Sequence, residues 1–157
     1  MPRAFAFVVS VLAAVVAMWL QSRARDIWQI RSIPERVMEW TLLFIPLDLF
    51  ERAIQQFGPS AKELALTGSV VGMAVMLTLL GYGLLRRVMN GSVILGASVA
   101  LWLVVMGVVM PITGGGIFGT ALFQSPLLVS VAFLSIFLAY GATLLGGLAV
   151  RESRAAH

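Results

Sequence analysis

The apolar residues of this chain fall into long unbroken runs, without the every-second-residue alternation of a half-buried strand. The first covers residues 4–20 and stops shortly before Arg23 and Arg25. At 1.5 Å per residue it reaches roughly 25 Å, a little less than a hydrocarbon core of about 30 Å. A signal peptide has a similar look, but no small-x-small cleavage pattern follows, so the run is read as a retained span. Three more runs come later. Residues 64–85 stop at Arg86-Arg87. Residues 93–112 begin after Asn90-Gly91-Ser92 and end at Pro111. Residues 126–150 open on Ser125-Pro126 and close at Arg151.

Between the first and second runs the pattern changes. Across residues 21–37, Ile27, Ile30, Ile33 and Val37 recur at helical spacing among Arg23, Arg25, Asp26, Arg31, Glu35 and Arg36, which predicts a helix along the headgroup boundary. Pro34 should break it and open the next helix in its first turn. In residues 37–57 the apolar stretch 40–47 is bracketed by Glu39 and Asp48, and Glu51, Arg52, Gln55 and Gln56 make the second half amphipathic. A carboxylate near mid-bilayer costs about 2.5–3.5 kcal/mol. A short interfacial or re-entrant helix, kinked at Pro46 and ended by Gly58-Pro59-Ser60, is therefore expected in preference to a crossing. The predicted fold is an all-α integral membrane protein with about four transmembrane helices and this one short helix, in a single membrane domain over residues 1–157.

Composition agrees and removes alternatives. The chain is 60% hydrophobic and 11% charged, too apolar for a soluble domain of 157 residues. Its net charge of +4 comes from scattered arginines, with no dense basic segment interleaved with aromatics, so no nucleic-acid partner is expected. There is no cysteine, and the only histidine is His157. Disulfides and thiolate metal sites cannot form, and a haem held by two imidazoles of this chain is impossible. No ligated cofactor is expected. Lipid, quinone or pigment held by ordinary Leu, Phe and Trp leaves no mark in such a sequence.

Charge placement also predicts topology. Arg86, Arg87, Arg151 and Arg154 share one face because two spans separate the pairs, and the loop 113–125 between them is uncharged. The positive-inside rule makes these arginines topology anchors on the cytoplasmic side, with a cytoplasmic C-terminus. If 37–57 dips and returns, Arg23, Arg25, Arg31, Arg36, Arg52 and Lys62 all lie outside, against that rule. A crossing would improve the bias.

Few residues carry candidate chemistry. Glu39 and Asp48 would suit a proton or cation site, but Arg36 lies three residues before Glu39 and Arg52 four after Asp48. Such spacings allow interfacial ion pairs within one helix, the plainer expectation. Small residues at Gly68/Gly72, Gly96/Ala100 and Ala142/Gly146 mark candidate helix-packing faces, within the chain or against partners. Trp102, Phe133 and Phe137 are expected on the outer surface. Gly114-Gly115-Gly116 has no lysine or preceding strand and reads as a connector, not a phosphate loop.

The segments 33–40, 44–51 and 56–63, with Val109-Met110-Pro111-Ile112-Thr113-Gly114 and Ser125-Pro126-Leu127-Leu128-Val129-Ser130, resemble the amino-terminal membrane region of bacterial membrane-anchored molybdopterin oxidoreductases of the sulfite-oxidase-like type. The resemblance runs from about Ile33 to Val150. It implies a membrane module of a redox or energy-converting assembly in the bacterial cytoplasmic membrane. The catalytic domain that would follow the last span in that family is absent from these 157 residues, so no catalytic residue carries over. Two functions are expected: a non-catalytic subunit or anchor that contacts other membrane proteins and lipid, or a small oligomeric transporter or channel for a neutral solute. The second has only hydroxyls such as Ser98, Thr143 and Tyr140 to line a path. An enzyme would need a nucleophile–base pair or metal cluster, which the spans do not offer.

Overall fold

The computed structural model describes residues 3–87 and 90–155. His157 lies outside the described residues. Helices α1 (Arg3–Trp28), α4 (Ala61–Arg87) and α7 (Pro126–Ala155) are long single rods. A fourth rod is composite: α5 (Gly91–Val104) passes through a π-helical turn, Val105–Val109, into the short α6 (Met110–Ile112). These four rods are long and apolar enough to cross a membrane. Among the described residues there is no strand, and the fold is an all-α membrane protein.

The predicted ends shift for physical reasons. The first span continues to Trp28 rather than stopping at residue 20. Its extra turns carry Arg23, which sits 5.5 Å from the Trp19 ring and 3.8 Å from Asp26 in an exposed pair, so the charges are compatible with helix. The boundary helix expected over 21–37 is thus corrected: its first part belongs to α1 and its last to α2 (Ile33–Leu42). Gln29, at φ +57°, makes the break between them. Ile30 and Ile33 are buried, while Ile27 and Val37 are exposed, so the four do not form one stripe.

The expected single helix over 37–57 is two. Helix α2 ends at Leu42, and α3 (Leu47–Phe57) starts after the extended Pro46 (φ −55°, ψ 142°). Proline disfavours helical backbone in the residue before it, which explains a full break where a kink was expected. Pro34 does stand in the first turn of α2. Gly58, at φ +58°, takes the left-handed turn that closes α3. With 10 and 11 residues, the two helices reach only about 15 Å each and cannot cross a bilayer.

The rods pack as a row, α4–α1–α7–α5, with α4 meeting α7 more sparsely. Helix α1 makes this possible. Its buried residues Ala6, Val9, Ser10, Ala13, Ala14, Ala17, Gln21 and Ala24 recur every three or four positions, a nearly all-small stripe. Small side chains let backbones approach in lipid, where burial itself provides little drive. The buried face of α7 carries the large partners: Phe133, Phe137, Tyr140 and Leu144. Phe133 is 1% exposed and Phe137 0%, so both are core residues and not outer-surface ones. Trp102 is half-buried, with its indole N–H donating to the Ser130 carbonyl at 3.0 Å.

Close approaches fix which ends lie together. A Cβ on Gly81 of α4 would come within 3.3 Å of Ser10 Cβ on α1, and one on Gly91 would come within 3.0 Å of Leu145 on α7. The start of α1, the end of α4, the start of α5 and the end of α7 therefore share one end, called here the arginine end. The opposite end holds α2, α3 and the 113–125 loop. Arg151 and Arg154 lie on the last turns of α7.

Candidate functional site

At the end opposite the arginines, three chain segments meet in a polar cap. Gln21, 2% exposed, accepts from the Ile33 N–H at 3.1 Å through Oε1. That N–H belongs to the first turn of α2, whose N-cap residue Ser32 makes no side-chain bond to it. A helix N-terminus leaves such donors without partners, and here a residue twelve positions earlier supplies the acceptor. Gln124 of the 113–125 loop donates to the Gln29 carbonyl at 2.9 Å, tying the loop to the α1–α2 break.

The charged residues of the cap are arranged differently from the sequence expectation. Glu39 pairs with Arg31 at 2.5 Å, not with Arg36. Arg25 reaches Glu35 at 3.4 Å. Both pairs have one or both partners well exposed, so each is worth at most about 1 kcal/mol. Arg36 is turned inward and is 8% exposed. It makes no ion pair among the described residues, and its Nε has no hydrogen-bond partner. It lies under the glycine loop: a Cβ on Gly115 would come within 3.3 Å of Arg36 Nη1 and 3.0 Å of Met110 Sδ. Burial, and then the nearby charge of Arg31, pull the Arg36 guanidinium below its ordinary value, against the opposing effect of Glu39 and Glu35. Its position beside the last turn of the α5–α6 rod places a cation near the negative end of a helix dipole. Glu35 Oε2, the oxygen that does not face Arg25, is likewise buried with no hydrogen-bond partner among the described residues.

The second expected pair does not form. Asp48 and Arg52 are both exposed on α3, and neither makes an ion pair among the described residues. Helix α3 buries no side chain; Phe50, Ile54 and Phe57 are exposed along one side and Asp48, Arg52 and Gln55 along the other. That is the form of a helix lying in the interface plane. Between α2, α3 and the start of α4 runs an apolar groove of about 840 Å³, lined by Met38, Leu42, Leu49, Phe50 and Ile54, with Glu39 and Lys62 beside it.

The six small residues singled out in the sequence all face outward. Gly68, Gly72, Gly96 and Gly146 would each have open space around an added Cβ, and Ala100 and Ala142 are exposed. Packing within the chain uses other positions: Gly81 against Tyr140 and Leu144, Gly141 against Ser98, Gly147 against Val9, and the alanine stripe of α1. That stripe was present in the sequence as Ala13-x-x-x-Ala17 with Ala6, Ser10 and Ala24 in register. Alanine is common in any apolar helix, so the stripe stands out less than a glycine pair does. Gln21 gives no such signal, because in sequence it is simply the first polar residue beyond an apolar run.

The hydroxyls inside the spans mostly bond to their own helix. Ser10, Thr78, Ser98, Ser135 and Thr143 each donate to the carbonyl four residues earlier, at 2.7–3.0 Å. Tyr140 donates across to α4, at the Leu77 carbonyl. Among the described residues no three His, Cys, Asp or Glu side chains converge. Comparison with protein families, with curated proteins and with solved structures finds no match to this chain.

Proposed function

We propose that this chain is a non-catalytic transmembrane subunit or anchor of a larger membrane assembly. The observation that carries the reading is the outward placement of Gly68/Gly72, Gly96/Ala100 and Ala142/Gly146: a Cβ added at any of the four glycines would meet no described residue, and the two alanines are exposed. In lipid, small residues are where helices from different chains approach closely. The row arrangement leaves broad faces for such neighbours: in the most apolar stretch of α4 only 17% of residues are buried, against 44% in α7. A redox or energy-converting assembly of the bacterial cytoplasmic membrane is the context implied by the resemblance over residues 33–150, and that part of the reading rests on those residues alone.

A cytoplasmic C-terminus is supported by Arg86, Arg87, Arg151 and Arg154, which flank a hairpin whose loop is uncharged. With the 29–60 segment held at one end, Arg3 joins those four, and the other six basic residues lie at the cap. The whole-chain count is thus nearly even, and the orientation reading rests on the carboxyl-terminal hairpin. A transporter or channel is less well supported, since the span hydroxyls named above are engaged by backbone carbonyls. The test is gentle solubilisation and native purification with identification of co-migrating proteins. A stoichiometric membrane partner is the expected result. A lone monomer that moves a neutral solute in liposomes would replace this reading with the transporter.

A further inference from the structure

The arginine end carries a second groove, of about 730 Å³, between the start of α1 and the end of α4. Its charged rim is Arg3, Arg86 and Arg87, and its floor includes Leu79, Leu80 and Gly83. Residues 3 and 86 come together because α1 and α4 pack antiparallel through the Ser10–Gly81 approach. At the cap end, Arg23, Arg25 and Arg31 are matched by Asp26, Glu35 and Glu39. At this end Arg3, Arg86 and Arg87 are exposed and make no ion pair among the described residues; Arg86 lies 5.9 Å from the Tyr82 ring. Six of the seven acids belong to the cap end, leaving Glu152 alone here. Among the described residues the rim therefore carries positive charge with no ion-pair partner, directly beside the apolar side chains of Leu79, Leu80 and Leu84.

We propose that this groove binds an anionic phospholipid, with the phosphate held by Arg3, Arg86 and Arg87 and an acyl chain lying along Leu79, Leu80 and Gly83. Guanidinium groups suit phosphate because their N–H donors form a planar fork, and a basic pocket between helix ends at the headgroup level is the arrangement such lipids occupy. Gly83 matters for shape. An added Cβ there would meet no described residue within 4 Å, which leaves space for a ligand. A role as topology anchor explains the charges but not the open lane, and it demands no preference among lipids. This inference does not depend on the subunit reading or on which leaflet the arginine end faces.

The test is native mass spectrometry of the full chain titrated with phosphatidylglycerol or phosphatidylcholine. The wild type should bind the first phosphatidylglycerol at least tenfold more tightly than phosphatidylcholine. The Arg86→Gln/Arg87→Gln variant should lose about fivefold for each arginine removed. Arg23→Gln/Arg52→Gln, an equal change of charge at the other end, should keep the preference. Gly83→Leu keeps every charge and fills the lane, and should weaken phosphatidylglycerol binding severalfold. Equal binding of the two lipids by the wild type would overturn the proposal, as would full affinity in Gly83→Leu. Loss of a co-purifying protein from the double arginine variant, with lipid preference unchanged, would assign the arginines to a partner's acidic segment instead.

Discussion

The hydroxyl of Tyr140 on α7 donates to the backbone carbonyl of Leu77 on α4 at 2.6 Å, across 63 positions of sequence. The contact exists because Gly81, one turn further along α4, has no side chain: a Cβ there would lie 2.8 Å from the Tyr140 oxygen, 3.2 Å from Leu144 and 3.3 Å from Ser10. Three spans thus converge on one glycine.

Gly81→Ala should therefore destabilise the fold by about 1–3 kcal/mol through overpacking. Gly72→Ala, on the same helix with open space around its Cβ, should be neutral or gain up to about 1 kcal/mol of helix propensity. Tyr140→Phe should cost only about 0.6 kcal/mol, the average for inter-helix hydrogen bonds in membranes. Reversible unfolding in mixed detergent micelles measures all three, and equal stability of the two glycine variants would contradict the α1–α4–α7 packing.

Adjacent glycines on α7 separate internal from external packing. Gly147 sits against Val9 of α1, whereas Gly146 faces open space. Gly147→Leu should prevent recovery of a folded monomer. Gly146→Leu, like Gly72→Leu, should leave the monomer's melting temperature unchanged and lower the yield of the larger complex. Native gels with a parallel melting curve distinguish the two. Unchanged complex recovery in both outward variants would remove the main support for the subunit reading.

Arg36 gives a prediction of unusual sign. A buried cation without a direct ion pair costs desolvation that neighbouring charges only partly offset. Arg36→Met keeps much of the volume and should leave stability unchanged or raise it by about 1 kcal/mol. Arg36→Ala should instead destabilise by about 2 kcal/mol, through the cavity left under Gly115 and Met110. A large loss of thermal stability in Arg36→Met would show that the charge itself holds the cap together.

Topology can be read with single cysteines, because the chain has none of its own. Arg3→Cys and Arg87→Cys should be labelled from one side of the membrane by an impermeant maleimide, and Gln56→Cys and Thr120→Cys from the other. Labelling of residues 3 and 87 from opposite sides would mean that the 29–60 segment crosses after all.

The sequence by itself determined the class of protein and the four runs long and apolar enough to cross lipid. That follows from the cost of burying charge in hydrocarbon, which falls on runs of consecutive residues and can be read from their order. It also marked the helix start at Pro126 and, within two residues, that of α5, which begins at Gly91 rather than 93 because the Asn90 side chain caps it by accepting from the Ser92 N–H at 3.1 Å; both signals are local. Only the tertiary structure decided which face of each span is inside. In water an inward face differs from an outward one in polarity. In lipid both are apolar, so Gly72 and Gly81, or Phe133 and Val131, look alike until the neighbouring helix is in place. The cap depended on the fold for a related reason. Arg36 and Glu39 are three apart in sequence, but the break at Gln29 brings Arg31 to Glu39 and Gln21 to Ile33, and Arg36 is left to turn inward beneath the glycine loop.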